Sequence, residues 1–158
     1  MSQLSHFDPD GASHMVDVGD KEVTVRSARA SGRVRLSADT VRLIRDRKLT
    51  KGDVFEVARL AGIMAAKRTA ELIPLCHPLP LDTVEVLFDI PDATTIAIES
   101  QARVSARTGV EMEVLVAVST AALTIYDMCK SVDRAVVIEQ IRLEEKSGGR
   151  SGHFVRST

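Results

Sequence analysis

TVEVLFDIPDATTIAIESQARV, residues 83–104, alternates apolar and polar side chains along both of its halves. Val84, Val86, Phe88 and Ile90 take every second position in the first half, and Ile96, Ile98, Ala102 and Val104 do so in the second. A period of two is the mark of a half-buried strand. Pro91-Asp92 between the halves is turn chemistry, so the stretch predicts an antiparallel hairpin. Upstream, residues 22–36 also alternate, with Val23 and Val25 before Ser31-Gly32 and Val34 and Leu36 after it. They predict a strand bent or bulged near Gly32. Ser37 can cap a helix over 38–47 that turns Val41, Leu43 and Ile44 inward. Thr50 and Asp53 resemble a capping box opening a second helix that ends near residue 71. Val54, Val57, Ala61, Met64 and Ala65 form its expected inward face.

Downstream, residues 111 to about 132 are rich in Ala, Val, Leu and Thr and predict a long helix. Val136, Ile138, Ile141 and Leu143 predict a last strand. The order strand, helix with an extra helix, strand, strand, helix, strand is the split βαβ pattern of ferredoxin-like folds. It predicts an α+β domain with an antiparallel four-stranded sheet and helices on one face. Glu85, Ser100 and Arg103 are expected on the other face, wet or shared with another subunit.

Composition agrees with a single domain over 1–158, with 1–20 irregular and 146–158 a flexible, glycine-rich basic tail. The chain has 158 residues, 44% of them apolar, which is too many for a disordered chain. Aromatics make up 3%, which excludes a base-stacking platform and argues against nucleic acid as partner. No run approaches the roughly 18 consecutive apolar residues of a membrane span. MSQLSHFDPDG lacks the basic-then-apolar order of an export signal, so a cytoplasmic chain with Cys76 and Cys129 reduced is expected. The net charge of −1 is an average: residues 26–68 hold 12 Lys and Arg against 4 Asp and Glu, a local net of +8.

Several residues stand out from this frame. Arg26 lies inside a strand, and Lys51 at a helix entrance where free N–H groups also attract anions. Lys67 near a helix end serves the helix dipole as readily as a ligand. LIPLCHPLPL, 72–81, holds Cys76 and His77 between prolines that forbid helix and central strand alike. Such fixed loops suit active sites. Cys76, His77 and the distant Cys129 lack zinc-ligand spacing, and no dedicated metal cage is visible. Glu111 and Glu113 open the long helix, where the dipole alone would explain them. Glu113, Ala117, Thr120, Thr124 and Asp127 then form a small, polar stripe at three- and four-residue steps. Asp127 and Lys130 can meet at i, i+3, and burial would lower the Lys pKa into a useful range. Lys146-Ser147-Gly148-Gly149-Arg150-Ser151-Gly152 sets glycines between cations, as a phosphate-wrapping segment would. Together these residues suggest an enzyme acting on a phosphorylated small molecule.

The strings SHMVDV (13–18), KGDVF (51–55), AAKRT (65–69), LIPLCHPL (72–79), TGVEME (108–113), ALTIYDMCK (122–130) and KSGG (146–149) closely resemble the MoaC family of molybdenum cofactor biosynthesis. The likeness runs from about Ser13 to Gly152. It implies a substrate derived from GTP by an upstream radical enzyme, 3′,8-cyclo-7,8-dihydroguanosine 5′-triphosphate. The implied products are cyclic pyranopterin monophosphate and pyrophosphate. Family substrate contacts map onto Leu75, Cys76, His77, Met112 and Glu113, and the catalytic aspartate onto Asp127. Lys51, Lys130, Lys146, Arg26 and Glu111 match other pocket residues. The resemblance also implies a hexamer, a trimer of dimers with pockets where subunits meet. No cofactor is required, although Mg²⁺ can accompany the triphosphate. Two other readings use the same features: a non-catalytic ligand-binding domain, and a cyclohydrolase-like pterin enzyme, which would need a metal site.

Overall fold

The structure, a computed structural model, describes residues 6–150 and 152–157. Its strands are β1 (Thr24–Arg35), β2 (Thr83–Asp92), β3 (Thr95–Ala106), β4 (Val137–Ser147) and β5 (Phe154–Val155). Its helices are α1 (Ala38–Arg45), α2 (Val54–Ala66), α3 (Thr69–Leu72) and α4 (Glu111–Cys129). The sheet is antiparallel throughout, in the order β2-β3-β1-β4-β5. Its first four strands carry the ferredoxin-like order expected from the sequence. The fifth strand was not expected. Its two residues pair with Glu145 and Lys146, so part of the presumed tail is built into the sheet. Lys146 and Ser147 themselves belong to β4. Ser151 and Thr158, also assigned to that tail, lie outside the described residues, as do residues 1–5 of the expected N-terminal segment. Residues 6–20 form no named element beyond an isolated bridge between Phe7 and Ser13.

The core is aliphatic, as a chain so poor in rings requires. Val34, Val86, Ile96, Ile98 and Val104 of the sheet meet Val114, Val118, Ile125 and Cys129 of α4, all at most 1% exposed. Stacked Phe55 and Phe88, 4.9 Å apart, close one side. α4 alone among the described residues has the length and hydropathy to cross a membrane, but 56% of it is buried inside this fold as the core helix.

Four local expectations change. In β1 the inward face is Arg26, Ala28, Ala30, Gly32 and Val34; Val23 and Val25 point outward, 60% and 63% exposed. No bend reconciles the two sets, because β1 pairs with β3 without interruption. The irregularity expected near Gly32 is present in the pairing with β4, whose register shifts between Ser31 and Arg33, with the extra residues on β4 and Gln140 at φ 57. Gly32 is also required by packing, since a Cβ there would meet Val118 at 2.6 Å. On β3, Ser100 is fully buried among the aliphatics, while Arg103 and Glu85 do face outward. The turn after β2 lies at Ala93-Thr94 rather than Pro91-Asp92. That outer face is polar, with Arg29 bridging Glu99 at 3.0 Å and Glu145 at 3.6 Å.

The fourth change concerns α2. Asp53 is itself the N-cap, accepting from the Phe55 and Glu56 amides. The helix breaks at Lys67-Arg68 and α3 follows. Its buried face is Val54, Ala58, Gly62 and Ala66, whereas Val57 and Met64 are exposed. Small residues are inward because α2 and α4 approach closely. A Cβ on Gly62 would sit 2.9 Å from the Ala117 carbonyl oxygen and 3.2 Å from Val86. Ala117, part of the expected polar stripe, is therefore a packing residue. Gly62→Val should lower stability by about 3 kcal/mol, because backbone cannot retreat as a flexible side chain can. Chemical denaturation checks this, and an unchanged midpoint would refute the close-contact account.

Candidate active site

The sequence-selected residues gather at the two ends of α4. At its N-terminus the free amides and the dipole favour anions. Val110 caps the helix without a side-chain bond. Glu111 in the first turn accepts from Lys146 Nζ at 2.7 Å. Lys146 arrives from the far end of β4, paired to Ala28. Arg26, also on β1, donates from Nε to the Ala106 carbonyl and from Nη2 to the Arg107 carbonyl, both at 3.0 Å. These groups line an open cavity of about 610 Å³ with Lys21, Arg107 and Thr108. Lys21, Arg107 and Thr108 were not singled out from the sequence. For Arg107 and Thr108 the signal was a cation, a hydroxyl and a glycine shortly before a helix, the chemistry of an anion-binding helix entrance; Lys21 precedes β1 and carried no such signal.

Beside this cavity lies the proline-bound loop. Leu75, Cys76 and His77 are half-buried there, as is Met112 on α4. His77 donates Nε2–H to the Val16 carbonyl at 2.8 Å. Burial pushes the Cys76 thiol up, and the charges of Glu113 and Glu111 add to this. Cys76 is thus a neutral thiol rather than a nucleophile. Glu113 is 3% exposed and forms no ion pair among the described residues. It lines a second cavity of about 390 Å³ with Lys67, Arg68, Pro78 and Pro80. Lys67 itself is exposed.

Burial, reinforced by the Glu111 charge, pushes the Glu113 carboxyl up to about 7. This value is raised above that of the unfolded chain. Between about pH 4.5 and 7 the folded state therefore binds more protons, and stability falls as pH rises. The penalty at pH 8 is about 3 kcal/mol. Glu113→Gln should remove that slope and make the protein more stable than wild type at pH 8 but not at pH 4. Denaturation curves at the two pH values check it, and equal slopes in both proteins would overturn it.

At the other end of α4, Lys51 Nζ donates to the Asp127 backbone carbonyl at 2.8 Å. Its ammonium lies 3.7 Å from the Asp127 carboxylate, and Lys130 Nζ lies 2.7 Å from it. The turn before α2 delivers Lys51 to this point, and the spare carbonyls of a helix C-terminus receive it. Asp127 is held below the usual carboxylate range, by its hydrogen bond with Lys130 first and by the Lys51 charge after it. The Asp127 carboxylate in turn raises Lys130. This corrects the expectation of a buried pair with a lowered Lys pKa: all three side chains are exposed, at 41% to 61%. The cluster thus sets an ionised Asp127 carboxylate between the side-chain nitrogens of Lys51 and Lys130.

Glu111 and Asp127 are sixteen helical positions apart, which is about 24 Å along α4. The structure therefore joins Arg26, Glu111 and Lys146 in one group, with Glu113, Cys76, His77, Met112, Leu75 and Lys67 adjoining it. It joins Lys51, Asp127 and Lys130 in another. Within one chain it does not bring the two groups together. Among the described residues, no group of three His, Cys, Asp or Glu lies close enough to hold a metal ion.

Comparison with known proteins places these groups in a family. A relative from Heliobacterium modesticaldum, named cyclic pyranopterin monophosphate synthase, is 56% identical over 99% of both chains. One from Dinoroseobacter shibae with the same name is 57% identical over 98% of both. One from Mycobacterium bovis, named cyclic pyranopterin monophosphate synthase 3, is 56% identical over 97% of this chain and 86% of its own. The MoaC family profile matches residues 15–149, a span that includes every residue of both groups, and the chain belongs to the MoaC family.

Proposed function

We propose that the chain converts 3′,8-cyclo-7,8-dihydroguanosine 5′-triphosphate to cyclic pyranopterin monophosphate, releasing pyrophosphate, as a lyase of molybdenum cofactor biosynthesis. The observation that carries the mechanism is Asp127 held between Lys51 and Lys130. Rearranging the substrate rings requires repeated proton transfers. An ionised carboxylate can accept a proton while an adjacent ammonium donates one. Closing the cyclic phosphate makes one bond and breaks another. A substrate hydroxyl attacks the α-phosphorus, its proton passes to a base, and the bond to the β-phosphate breaks. The leaving pyrophosphate carries the charge away. Lys146, Arg107 and Lys21, which line the cavity at the α4 N-terminus, supply cations for a triphosphate, and Lys67 lines the second cavity with Glu113. Mg²⁺ accompanying the triphosphate is compatible with this arrangement.

The pterin-forming half of the substrate then falls to Leu75, Cys76, His77, Met112 and Glu113. With so few aromatics, recognition rests on this loop and helix entrance. A neutral Glu113 can donate as well as accept a hydrogen bond. The two ends of α4 are too far apart for one nucleotide to touch both, so we place the site between chains. A second copy supplies the Lys51–Asp127–Lys130 group to the Glu111 end of the first. Exposed Leu60 of α2 and Leu123 of α4, at 61% and 60%, lie between the two ends and suit such a contact. Three such dimers make the proposed hexamer. The proposed setting is the cytoplasm, downstream of the radical enzyme that cyclises GTP. The test is pyrophosphate release from the cyclised GTP intermediate supplied as purified substrate. Release with formation of the cyclic pterin phosphate is expected, and its absence from a folded wild-type protein would sink the reading.

A further inference from the structure

Arg26 is the least accessible cation at the phosphate end, 9% exposed, and no carboxylate pairs with it among the described residues. A buried guanidinium without an ion-pair partner is costly, so its hydrogen bonds carry the explanation. Nε and Nη2 are spent on the carbonyls of Ala106 and Arg107. These are the last residue of β3 and the first of the turn leading into α4. The other side of the guanidinium is covered by backbone. A Cβ built on Gly149 would collide with Nη1, Cζ and Nη2 of Arg26. A Cβ on Gly148 would collide with the Val25 carbonyl oxygen and lie 3.1 Å from Arg26 Cα.

We propose that Arg26 is a positioning residue, which clamps the 107–110 turn to β1 and accepts Gly148-Gly149 against its guanidinium, and that it is not itself a phosphate ligand. The glycine pair is then explained by close approach to Arg26 rather than by wrapping a phosphate. A phosphate takes an arginine through two parallel N–H donors, and this fork is already occupied on one side and covered on the other. The clamp fixes both partners of the Glu111–Lys146 ion pair: Glu111 begins the helix after the turn, and Lys146 lies two residues before the glycines. It thereby sets the position of the Lys146 ammonium. This inference rests on the reading that the cavity holds the triphosphate.

The decisive variant is Gly149→Ala, with Gly152→Ala as its control. Gly149 and Gly152 have nearly the same φ, +72 and +69, so alanine carries the same left-handed backbone strain at each. Only at Gly149 does it strike the guanidinium; a Cβ built on Gly152 meets nothing within 4 Å among the described residues. Gly149→Ala should lower kcat for pyrophosphate release by about 10- to 100-fold, as small misplacements of reacting groups do. KM should stay near wild type and Gly152→Ala should keep wild-type kcat. The double variant with Arg26→Ala should be no worse than Arg26→Ala alone, since both remove one clamp. Wild-type kcat in Gly149→Ala, equal losses in Gly149→Ala and Gly152→Ala, or additive losses in the double variant would overturn the proposal. Arg26→Gln should leave the salt dependence of pyrophosphate binding unchanged, whereas loss of a phosphate ligand would flatten it. Hydrogen exchange over 107–110 reads the clamp without turnover. It should speed up in Arg26→Gln and Gly149→Ala, and unchanged exchange would refute the clamp even if wild type released no pyrophosphate and the proposed reaction itself failed.

Discussion

Asp127→Ala should cut pyrophosphate release by about 10²- to 10⁴-fold, the usual contribution of one positioned acid–base group. The melting temperature should not move with it. Asp127 is exposed on the last turn of α4, and exposed ion pairs contribute little to stability. The variant therefore separates chemistry from folding with unusual clarity. Asp127→Asn sharpens the test, because the amide oxygen still accepts from Lys130 but cannot take a proton at neutral pH. If the carboxylate works only by holding the lysines in place, Asp127→Asn should keep most of the activity. If it accepts a proton, Asn should fail as fully as Ala. Because Lys130 holds the Asp127 carboxyl low, the wild-type rate should survive acidification well below neutrality before this group limits it. Full activity in Asp127→Ala would remove the cluster from the mechanism.

The periodic parts of the fold were legible from the sequence, and the errors have physical causes. The 83–104 hairpin and α4 stand where alternation and helical spacing put them. For α2, periodicity identified a helix but pointed the wrong apolar stripe inward. Hydrophobicity alone favours Val57 and Met64 over Ala58 and Gly62. The close approach of α4 reverses that choice, and nothing within α2 encodes its neighbour's distance. β5 is two residues long, too short for any pattern. In the site, the Asp127–Lys130 contact followed from i, i+3 spacing. Its exposure did not, because TIYDMCK reads as apolar although the helix turns Asp127 outward. The Lys51 contact joins residues 76 positions apart, which no local rule reaches. Glu113 stands out in the sequence as the head of the polar stripe, but an acid in a first helical turn is ordinarily solvated, so its burial left no trace there.

The separation of the two groups leads to the second large effect. Lys51→Ala and Lys146→Ala should each abolish most turnover, since one disables the Asp127 cluster and the other the phosphate end. Co-expressed in equal amounts, the two inactive chains should together recover about a quarter of wild-type activity, because in a symmetric assembly random pairing gives that share of sites an intact group from each chain. The recovery has no counterpart if each site is built within one chain, for then every chain carries a lesion in its own site. Lys51 approaches the C-terminal end of α4 and Lys146 the N-terminal end. The pair therefore lies on opposite sides of the proposed contact, which is why these lysines, rather than two from one end, form the test. Mixing must be established separately, by mass spectrometry of intact assemblies that contain both variants. Mixed assemblies without recovered turnover would show that a single chain brings both groups to the substrate, which would require the roughly 24 Å along α4 to be spanned by some other means. Recovered turnover in mixed assemblies would account for the exposed Leu60 and Leu123, and would make α4 the ruler that sets how far apart the two halves of neighbouring sites are held.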